Sequence, residues 1–352
     1  MNINKVEWIN KKSINYDYTN KLIKQCELSG IFTNSGKNIT LLENTLKKIL
    51  KIDDDKCIIV VSNGSHALQI LCNGISCYDN KKLYWNTQSF TFPSSIQGYL
   101  NDTKIVDIDN EGGLDLTQIT PNINGIIVTN CFGNLVNINK YELWCKKNTK
   151  YLIFDNAATP YSFYNNKNSC NYGDGTIISL HHTKPIGFGE GGAIITDKKY
   201  EKTIRKLINF GEYKNNLIRY SNNFKMSEIS AIFILQYLSN FESIVKHHMM
   251  IYNYIENKIK NITNVSLLKS YHDKNNTFLP ACICLLSENS NKIIEKIKSI
   301  GIFCKKYYIP LKNTNNAIKL YNKIICIPCN LDVKIKHIDN IIKITSSLNS
   351  SS

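Results

Sequence analysis

Lys184 stands in a setting that a solvated lysine does not need. It lies in Ser179-Leu180-His181-His182-Thr183-Lys184-Pro185, followed by Gly187-Phe188-Gly189-Glu190-Gly191-Gly192 and the apolar run AIIT. The segment reads as a loop between two buried strands, rich in groups that can bind phosphate and in glycines that let backbone approach closely. Residues 187–192 satisfy G-x-G-x-x-G. That dinucleotide fingerprint needs a strand before it and a helix after it. Here it follows a loop and enters a strand, so a dehydrogenase is set aside.

Two further segments bring chemistry to the same kind of place. Asp155 ends the run YLIFD and is followed by Asn156, Ala157 and Ala158. A carboxylate at the C-terminal end of a parallel strand sits at the ligand-binding edge of such a sheet. It can hold a ring nitrogen protonated, or cap the following turn. Ser62-Asn63-Gly64-Ser65-His66 lies between the strand-like CIIVV and the helical ALQILCNGI. Small residues at a strand-to-helix turn expose backbone N–H groups to an anion such as phosphate. An ordinary helix cap by Ser62 or Asn63 explains the same residues.

The elements that position these groups alternate. Strand patterns fall at 57–62, 83–86, 104–109, 125–130, 151–155, 176–180 and 192–197. Amphipathic helices fit 40–51, 65–73, 92–100 and 138–147. This alternation predicts α/β architecture with a mostly parallel seven-stranded sheet covered on both faces. Beyond residue 198 the pattern changes to a long helical region over 226–260, with Ile229, Ile232, Phe233 and Gln236 at helical spacing. Short strands near 265–269, 280–286 and 324–327 and helices near 291–300 and 334–347 follow. The division expected is a large domain over 1–225 and a connecting helix with a smaller α+β domain over 226–352. The Asn/Lys-rich patches at 165–171, 214–216 and 313–316 read as surface loops, and the serine-rich end as a frayed tail.

These motifs together resemble the DegT/DnrJ/StrS family of sugar aminotransferases, which share the fold type I architecture of pyridoxal 5′-phosphate (PLP) enzymes. The resemblance runs over nearly the whole chain. Ser29-Gly30-Ile31-Phe32-Thr33-Asn34-Ser35-Gly36 resembles the family's opening motif and Ser62-Asn63-Gly64-Ser65 its phosphate turn. Thr91-Phe92 is similar to its ring-stacking segment, Phe132-Gly133 to its Tyr-Gly, and Asp155 to the aspartate of Asp-Ala-Ala-Gln. Ser179 and Lys184 match a serine and lysine five residues apart. Asn223 with Lys225-Met226-Ser227-Glu228 resembles an Asn-x-Arg-x-x-Glu element, and Ile309-Pro310-Leu311 with Ile327-Pro328 the C-terminal domain. Ala158 stands where the family has glutamine, Asn130 where histidine is common, and Lys225 where arginine is common.

The resemblance implies a set of roles. Lys184 would hold PLP as a Schiff base and, once freed, move protons as base and acid. Asp155 would grip the ring nitrogen, and Phe92 would stack on the ring or serve as a core aromatic. Gly64, Ser65, His66 and Ser179 would hold the phosphate, with Ala158 also at the cofactor. Asn223 would reach the phosphate from the second subunit of a homodimer. Thr33, His181 and His182 are candidates for substrate contact, the histidines equally explained as packed or surface residues. The amino donor implied is L-glutamate, giving 2-oxoglutarate. The acceptor implied is a nucleotide-linked 4-keto-6-deoxyhexose, giving a 4-amino-4,6-dideoxy sugar such as viosamine for glycan synthesis. Amination at C3 is an alternative. So is another PLP reaction such as that of a desulfurase, for which Cys304 is the faint nucleophile, or a non-enzymatic regulator.

Composition narrows the partners. The net charge of +15 comes from 43 basic and 28 acidic residues. Only Arg205 and Arg219 are arginines, and the lysines are spread rather than clustered. Bidentate phosphate and base contacts favour arginine, so no nucleic-acid partner is expected. With no arginine after Arg219, the C-terminal domain cannot clamp a dicarboxylate as arginine-rich aminotransferases do. Twelve cysteines without a secretory pattern predict reduced thiols. Cys326 and Cys329 form a lone C-x-x-C, Cys282 and Cys284 lie on a strand, and no metal is expected. The N-terminus MNINKVEWINKK is polar, and no apolar run is long enough for a membrane span. A soluble cytoplasmic protein is the expectation.

Overall fold

The structure is a computed structural model describing residues 5–211 and 220–347; Arg219, the 214–216 patch and the serine-rich end at 348–352 lie outside the described residues. In chain order the strands are β1 (Lys56–Val61), β2 (Trp85–Gln88), β3 (Lys104–Val106), β4 (Gly125–Thr129), β5 (Tyr151–Asp155), β6 (Phe163–Tyr164), β7 (Lys167–Asn168), β8 (Gly175–Ser179), β9 (Gly192–Asp197), β10 (Ser266–Leu267), β11 (Ile283–Leu286) and β12 (Ile324–Ile327). The helices are α1 (Tyr16–Ser29), α2 (Lys37–Ile49), α3 (Gly64–Tyr78), α4 (Ile138–Asn148), α5 (Lys198–Leu207), α6 (Glu228–Leu238), α7 (Phe241–Ile259), α8 (Ser290–Ser299), α9 (Asn315–Lys323) and α10 (Ile335–Ser347).

Seven strands form one sheet in the order β1-β9-β8-β5-β4-β2-β3. All neighbouring pairs are parallel except the two made by β9, which runs antiparallel to β1 and to β8. Side chains alternate between the faces. Ile58, Val60, Ile178 and Ile195 pack with α1, α2 and α6. Ile59, Val61, Ile177 and Ile194 pack with α3 and α5 on the other face. The mostly parallel α/β sheet expected from the alternating runs is therefore present. β10, β11 and β12 make a second, antiparallel sheet covered by α7, α8 and α10. Val6 joins that second core and pairs with Ile302. The N-terminal segment thus begins on the small sheet and crosses to the large one. No helix among the described residues is long and apolar enough to cross a membrane.

Several boundaries differ from the sequence reading, each for a physical reason. Residues 92–100 form two short 3₁₀ turns, Pro93–Ile96 and Gly98–Leu100, not an α-helix. Gly98 at φ +57° breaks the run, and a Cβ there would lie 2.2 Å from the Gln69 side-chain oxygen. The long helix over 226–260 is two helices that part at Ser239 and Asn240. Ile232 and Gln236 are buried, but Ile229 is exposed. The 313–316 patch read as loop contains the start of α9, set by Asp107, which accepts from the Asn316 and Ala317 N–H groups at 2.9 and 3.1 Å. A buried carboxylate over that N-terminus supplies what the polar composition hid.

All twelve cysteines are free thiols. Register pairs Cys284 with Cys326 across β11 and β12, and the thiols of Cys282, Cys284 and Cys326 lie within 4.8 Å of one another. The C-x-x-C reading splits: Cys329 instead lies 3.3 Å from His248 Nδ1 and donates to the Pro280 oxygen.

Candidate active site

The C-terminal ends of the parallel strands open into a cavity of about 770 Å³. Asp155 ends β5 there with 2% of its surface exposed. Its Oδ1 accepts the Ala157 N–H at 3.0 Å. Burial pushes its carboxyl above the usual range, opposed by that hydrogen bond and by the charge of Lys184. A buried carboxylate so placed seeks a cationic or protonated partner in the cavity.

Beside it, the turn from β1 into α3 is drawn tight. Asn63 caps α3, its Oδ1 accepting the His66 N–H at 2.8 Å. The first N–H groups of a helix have no partner within it, so those of Gly64 and Ser65 can meet an anion. Ser179, at the end of β8, packs against this turn: a Cβ on Gly64 would lie 3.0 Å from the Ser179 Cβ and 3.3 Å from its hydroxyl. Gly192 of β9 pairs with both Val61 and Ser179, and a Cβ on it would lie 2.5 Å from the Asn63 carbonyl. His66 Nδ1 lies 2.8 Å from the Ser62 hydroxyl, and its ring tilts against Phe224 at 4.7 Å. Burial lowers its pKa, favouring the neutral ring. Gly64, Ser65, His66 and Ser179 all line the cavity.

The loop between β8 and β9 carries Lys184 into the same space. Its fold is local: the Lys184 N–H donates to the His181 oxygen at 2.8 Å and the Gly187 N–H to the Lys184 oxygen at 3.1 Å. The G-x-G-x-x-G stretch indeed leads into a strand. Burial lowers the Lys184 pKa while Asp155 works against it by raising it. The cavity therefore holds an amine easily freed of its proton and a carboxylate that feels its charge. Phe92, 51% exposed, and both Ala157 and Ala158 also line it.

The remaining predicted residues divide. His181 lines the cavity, its Nδ1 2.8 Å from the Thr183 hydroxyl and its Nε2 3.3 Å from Glu190. His182 does not line it; its ring sits edge-on to Phe188 at 5.1 Å and its Nδ1 accepts the Gly189 N–H. Thr33 is exposed on the segment before α2 and does not line the cavity. Asn223 is exposed, bridges Asn209 through its backbone and is likewise outside this chain's cavity. Cys304 is buried away from it, donating to the Ile294 oxygen, so it is no mobile nucleophile. Cys282 and Cys329 do line the wall, but burial pushes both thiols up and away from the reactive thiolate.

Sequence reasoning missed the opposite wall. Trp8 and Asn10 come from the N-terminal segment, and Lys305, Tyr307, Tyr308 and Asn330 from around the small sheet. Tyr308 stacks on Phe132 with centroids 4.8 Å apart, and Lys305 Nζ lies 4.7 Å from the Trp8 ring centroid. Phe132-Gly133 gave a trace of this, since a Cβ on Gly133 would lie 2.7 Å from Pro280 Cα. Trp8 and Lys305 carry no motif that marks them.

A model of the DegT/DnrJ/EryC1/StrS aminotransferase family matches residues 15–345. The chain belongs to that family. Among its relatives, the dTDP-4-amino-4,6-dideoxy-D-glucose transaminase of Shigella dysenteriae is 25% identical over 86% of this chain and 88% of its own. The UDP-4-amino-4,6-dideoxy-N-acetyl-beta-L-altrosamine transaminase of Campylobacter jejuni is 22% identical over 91% of this chain and 90% of its own. The crystal structure of DesI in the presence of its TDP-sugar product superposes with a TM-score of 0.85 at 16% identity, covering 99% of this chain and 93% of that one.

As a DegT/DnrJ/EryC1/StrS aminotransferase, the chain is a PLP-dependent transaminase. The residues present fit that cofactor. The turn of Gly64 and Ser65 with the Ser179 hydroxyl suits a phosphate dianion, the buried Asp155 suits a protonated ring nitrogen, and the Lys184 amine faces the space between.

Proposed function

We propose that this transaminase moves an amino group from L-glutamate to a nucleotide-linked 4-keto-6-deoxyhexose, with dTDP or UDP as the carrier. The product is a 4-amino-4,6-dideoxy sugar such as viosamine, made in the cytoplasm for glycan synthesis. The observation that carries the substrate class is the cavity wall. It is broad and built of Trp8, Asn10, Tyr307 and Asn330, with Lys305 as its cation opposite Lys184, and no arginine among its residues. Arg205 is engaged by Glu43 and Glu201 at 3.0 and 2.9 Å. Hydroxyl, amide and aromatic groups suit a sugar and base, and a lysine suits a diphosphate as a point charge. The 4-amino-4,6-dideoxy products named for both relatives support amination at C4.

The residues divide the work. PLP, when bound, supplies the electron sink for the pair left when a Cα–H bond breaks. Lys184 Nζ takes that proton and returns it, acting as base and then acid. Its lowered pKa favours the free amine. Asp155 holds the ring nitrogen protonated. The α3 N-terminus with Ser65 and Ser179 fixes the phosphate, so that the reacting atoms meet Lys184 rather than water. Phe92 and Ala158 would flank the ring. A homodimer in which Asn223 of one subunit reaches the other's phosphate completes the reading. Its support is an exposed apolar group, Ile31, Phe32 and Ile229, joined through the Glu228 N–H donating to the Phe32 oxygen.

The test is incubation of purified protein with glutamate and a panel of dTDP-, UDP- and GDP-linked 3-keto and 4-keto sugars, followed by product mass and NMR. An amine at C4 with matching 2-oxoglutarate release is expected. Amination at C3 alone, or release of 2-oxoglutarate without any amino sugar, rejects the reading.

A further inference from the structure

The loop that carries Lys184 is held from outside by a second lysine. Lys12 Nζ donates to the Lys184 carbonyl oxygen at 2.8 Å and also to the Gly187 oxygen. Its ammonium lies 4.4 Å from the centroid of the Tyr237 ring on α6. The Lys184 oxygen already accepts the Gly187 N–H, so Lys12 fills its second acceptor site. Without Lys12, the loop 180–189 keeps its local backbone and side-chain bonds and the stacking of Phe188 on Phe233 of α6 at 5.6 Å, and it contains Gly187 and Gly189, which stiffen nothing.

Lys12 is not free to wander. Its segment is pinned at both ends. Toward the small sheet, Asn330 Nδ2 donates to the Glu7 and Trp8 oxygens at 3.1 and 3.2 Å. Toward α6, the Asn15 N–H donates to Gln236 Oε1 at 3.0 Å. Between these anchors Trp8 and Asn10 form cavity wall. The strap therefore runs from the wall opposite Lys184 to the backbone of Lys184 itself.

We propose that Lys12 is a positioning residue for Lys184: by tying the Lys184 and Gly187 carbonyls to the N-terminal strap, it sets where the Lys184 amine points into the cavity. The proposal rests on Lys184 being the lysine that carries the cofactor, and on no particular sugar substrate. The charged and titratable groups around Lys12 are the backbone neighbour Lys11, His182 and Lys184 of the loop, Tyr237 of α6, His248 of α7 and Asp332, which accepts the Lys11 N–H. Lys12 adds to the burial that pushes both histidines down, and among the described residues no carboxylate pairs with it. Asp332 accepts the neighbouring Lys11 N–H at 3.4 Å, while the Lys12 donors are directed at the two carbonyls.

The test compares wild type with Lys12→Met, which keeps the aliphatic stem over Tyr237 but has no donor, and Lys12→Arg, which keeps donors. Hydrogen exchange of the 180–189 peptide is followed by mass spectrometry in the cofactor-free protein. The pH midpoint of the visible band is followed in the holoenzyme. Lys12→Met is expected to exchange about tenfold faster in this loop, the scale of losing charge-assisted hydrogen bonds, with β1 and β8 peptides unchanged. It is also expected to move the band's pH midpoint and lower kcat more than it raises KM, and Lys12→Arg to recover most of each change. Unaltered loop exchange and an unaltered pH midpoint in Lys12→Met overturn the proposal, whatever happens to the melting temperature. So does a Lys12→Arg protein as loose as Lys12→Met. If Lys12→Met does not fold, Lys12→Gln is judged by the same two readouts, its amide being too short to reach both carbonyls. A wild type that aminates none of the keto sugars, while Lys12→Met still shifts loop exchange and the pH midpoint, would instead count against the substrate reading alone.

Discussion

Lys184 and Asp155 enter one cavity from neighbouring strands, and each changes what the other can do. Burial lowers the lysine's pKa, and the carboxylate raises it again. Replacing Asp155 with Asn removes the opposing charge, so the lysine's pKa should fall further. In the cofactor-free protein the rate at which Lys184 is acylated should then reach its plateau at a lower pH in Asp155→Asn than in wild type, because only the free amine reacts. A midpoint that rises would contradict the mutual effect. In the holoenzyme, Lys184→Ala should abolish the visible band and reduce turnover by about 10²–10⁴-fold, the usual contribution of a positioned acid–base group. Asp155→Asn should keep a band and lose about 100-fold in rate, since one preorganised electrostatic partner is removed.

At the scale of elements, the proposed phosphate turn is packed closely at two glycines, Gly64 and Gly192. Gly192 lies where β9 passes between Val61 and Ser179, and a Cβ there would meet the Asn63 backbone. Gly192→Ala should therefore destabilise the protein by about 1–3 kcal/mol, the range for overpacking, read as a lower melting temperature. It should also release cofactor faster on dialysis, because the turn it displaces is the proposed phosphate cradle. An unchanged melting temperature with unchanged retention would mean that the turn relaxes freely. The strands at 57–62, 125–130 and 151–155 were legible because they are unbroken apolar runs between turn residues, and the groups at their ends were legible with them. The far wall was not. Trp8 and Lys305 meet only through long-range packing of the N-terminal segment on the small sheet, and no periodicity announces such a meeting. The start of α9 was hidden for a related reason: its polar residues read as loop, and only Asp107, about two hundred positions earlier, makes them a helix. The break at Ser239 and Asn240 was hidden because both sides of it carry helical periodicity.

For the molecule as a whole, two features act over distances longer than a contact. The first is the strap, whose Lys12 has its pKa pulled down by burial to about 7 from 10.5 for a free lysine. Between those values the unfolded chain binds the proton and the folded chain releases it, so this residue makes stability rise with pH from about 7 upward and contributes no slope below. Lys12→Met should flatten that part of the melting-temperature profile. The second is the charge excess of +15. Carried almost wholly by lysine, it attracts small anions over a distance. A nucleotide diphosphate carries its charge to a cavity whose wall offers Lys305. The field reaches about 10 Å at 0.1 M salt and about 3 Å at 1 M. Raising salt should therefore lower kcat/KM for the nucleotide sugar by about tenfold, within the range of electrostatically steered association. It should leave kcat nearly constant, because Lys184 and Asp155 face each other inside the protein where salt screens little. A kcat that falls in parallel with kcat/KM would place the salt effect at the site itself instead of on the approach to it.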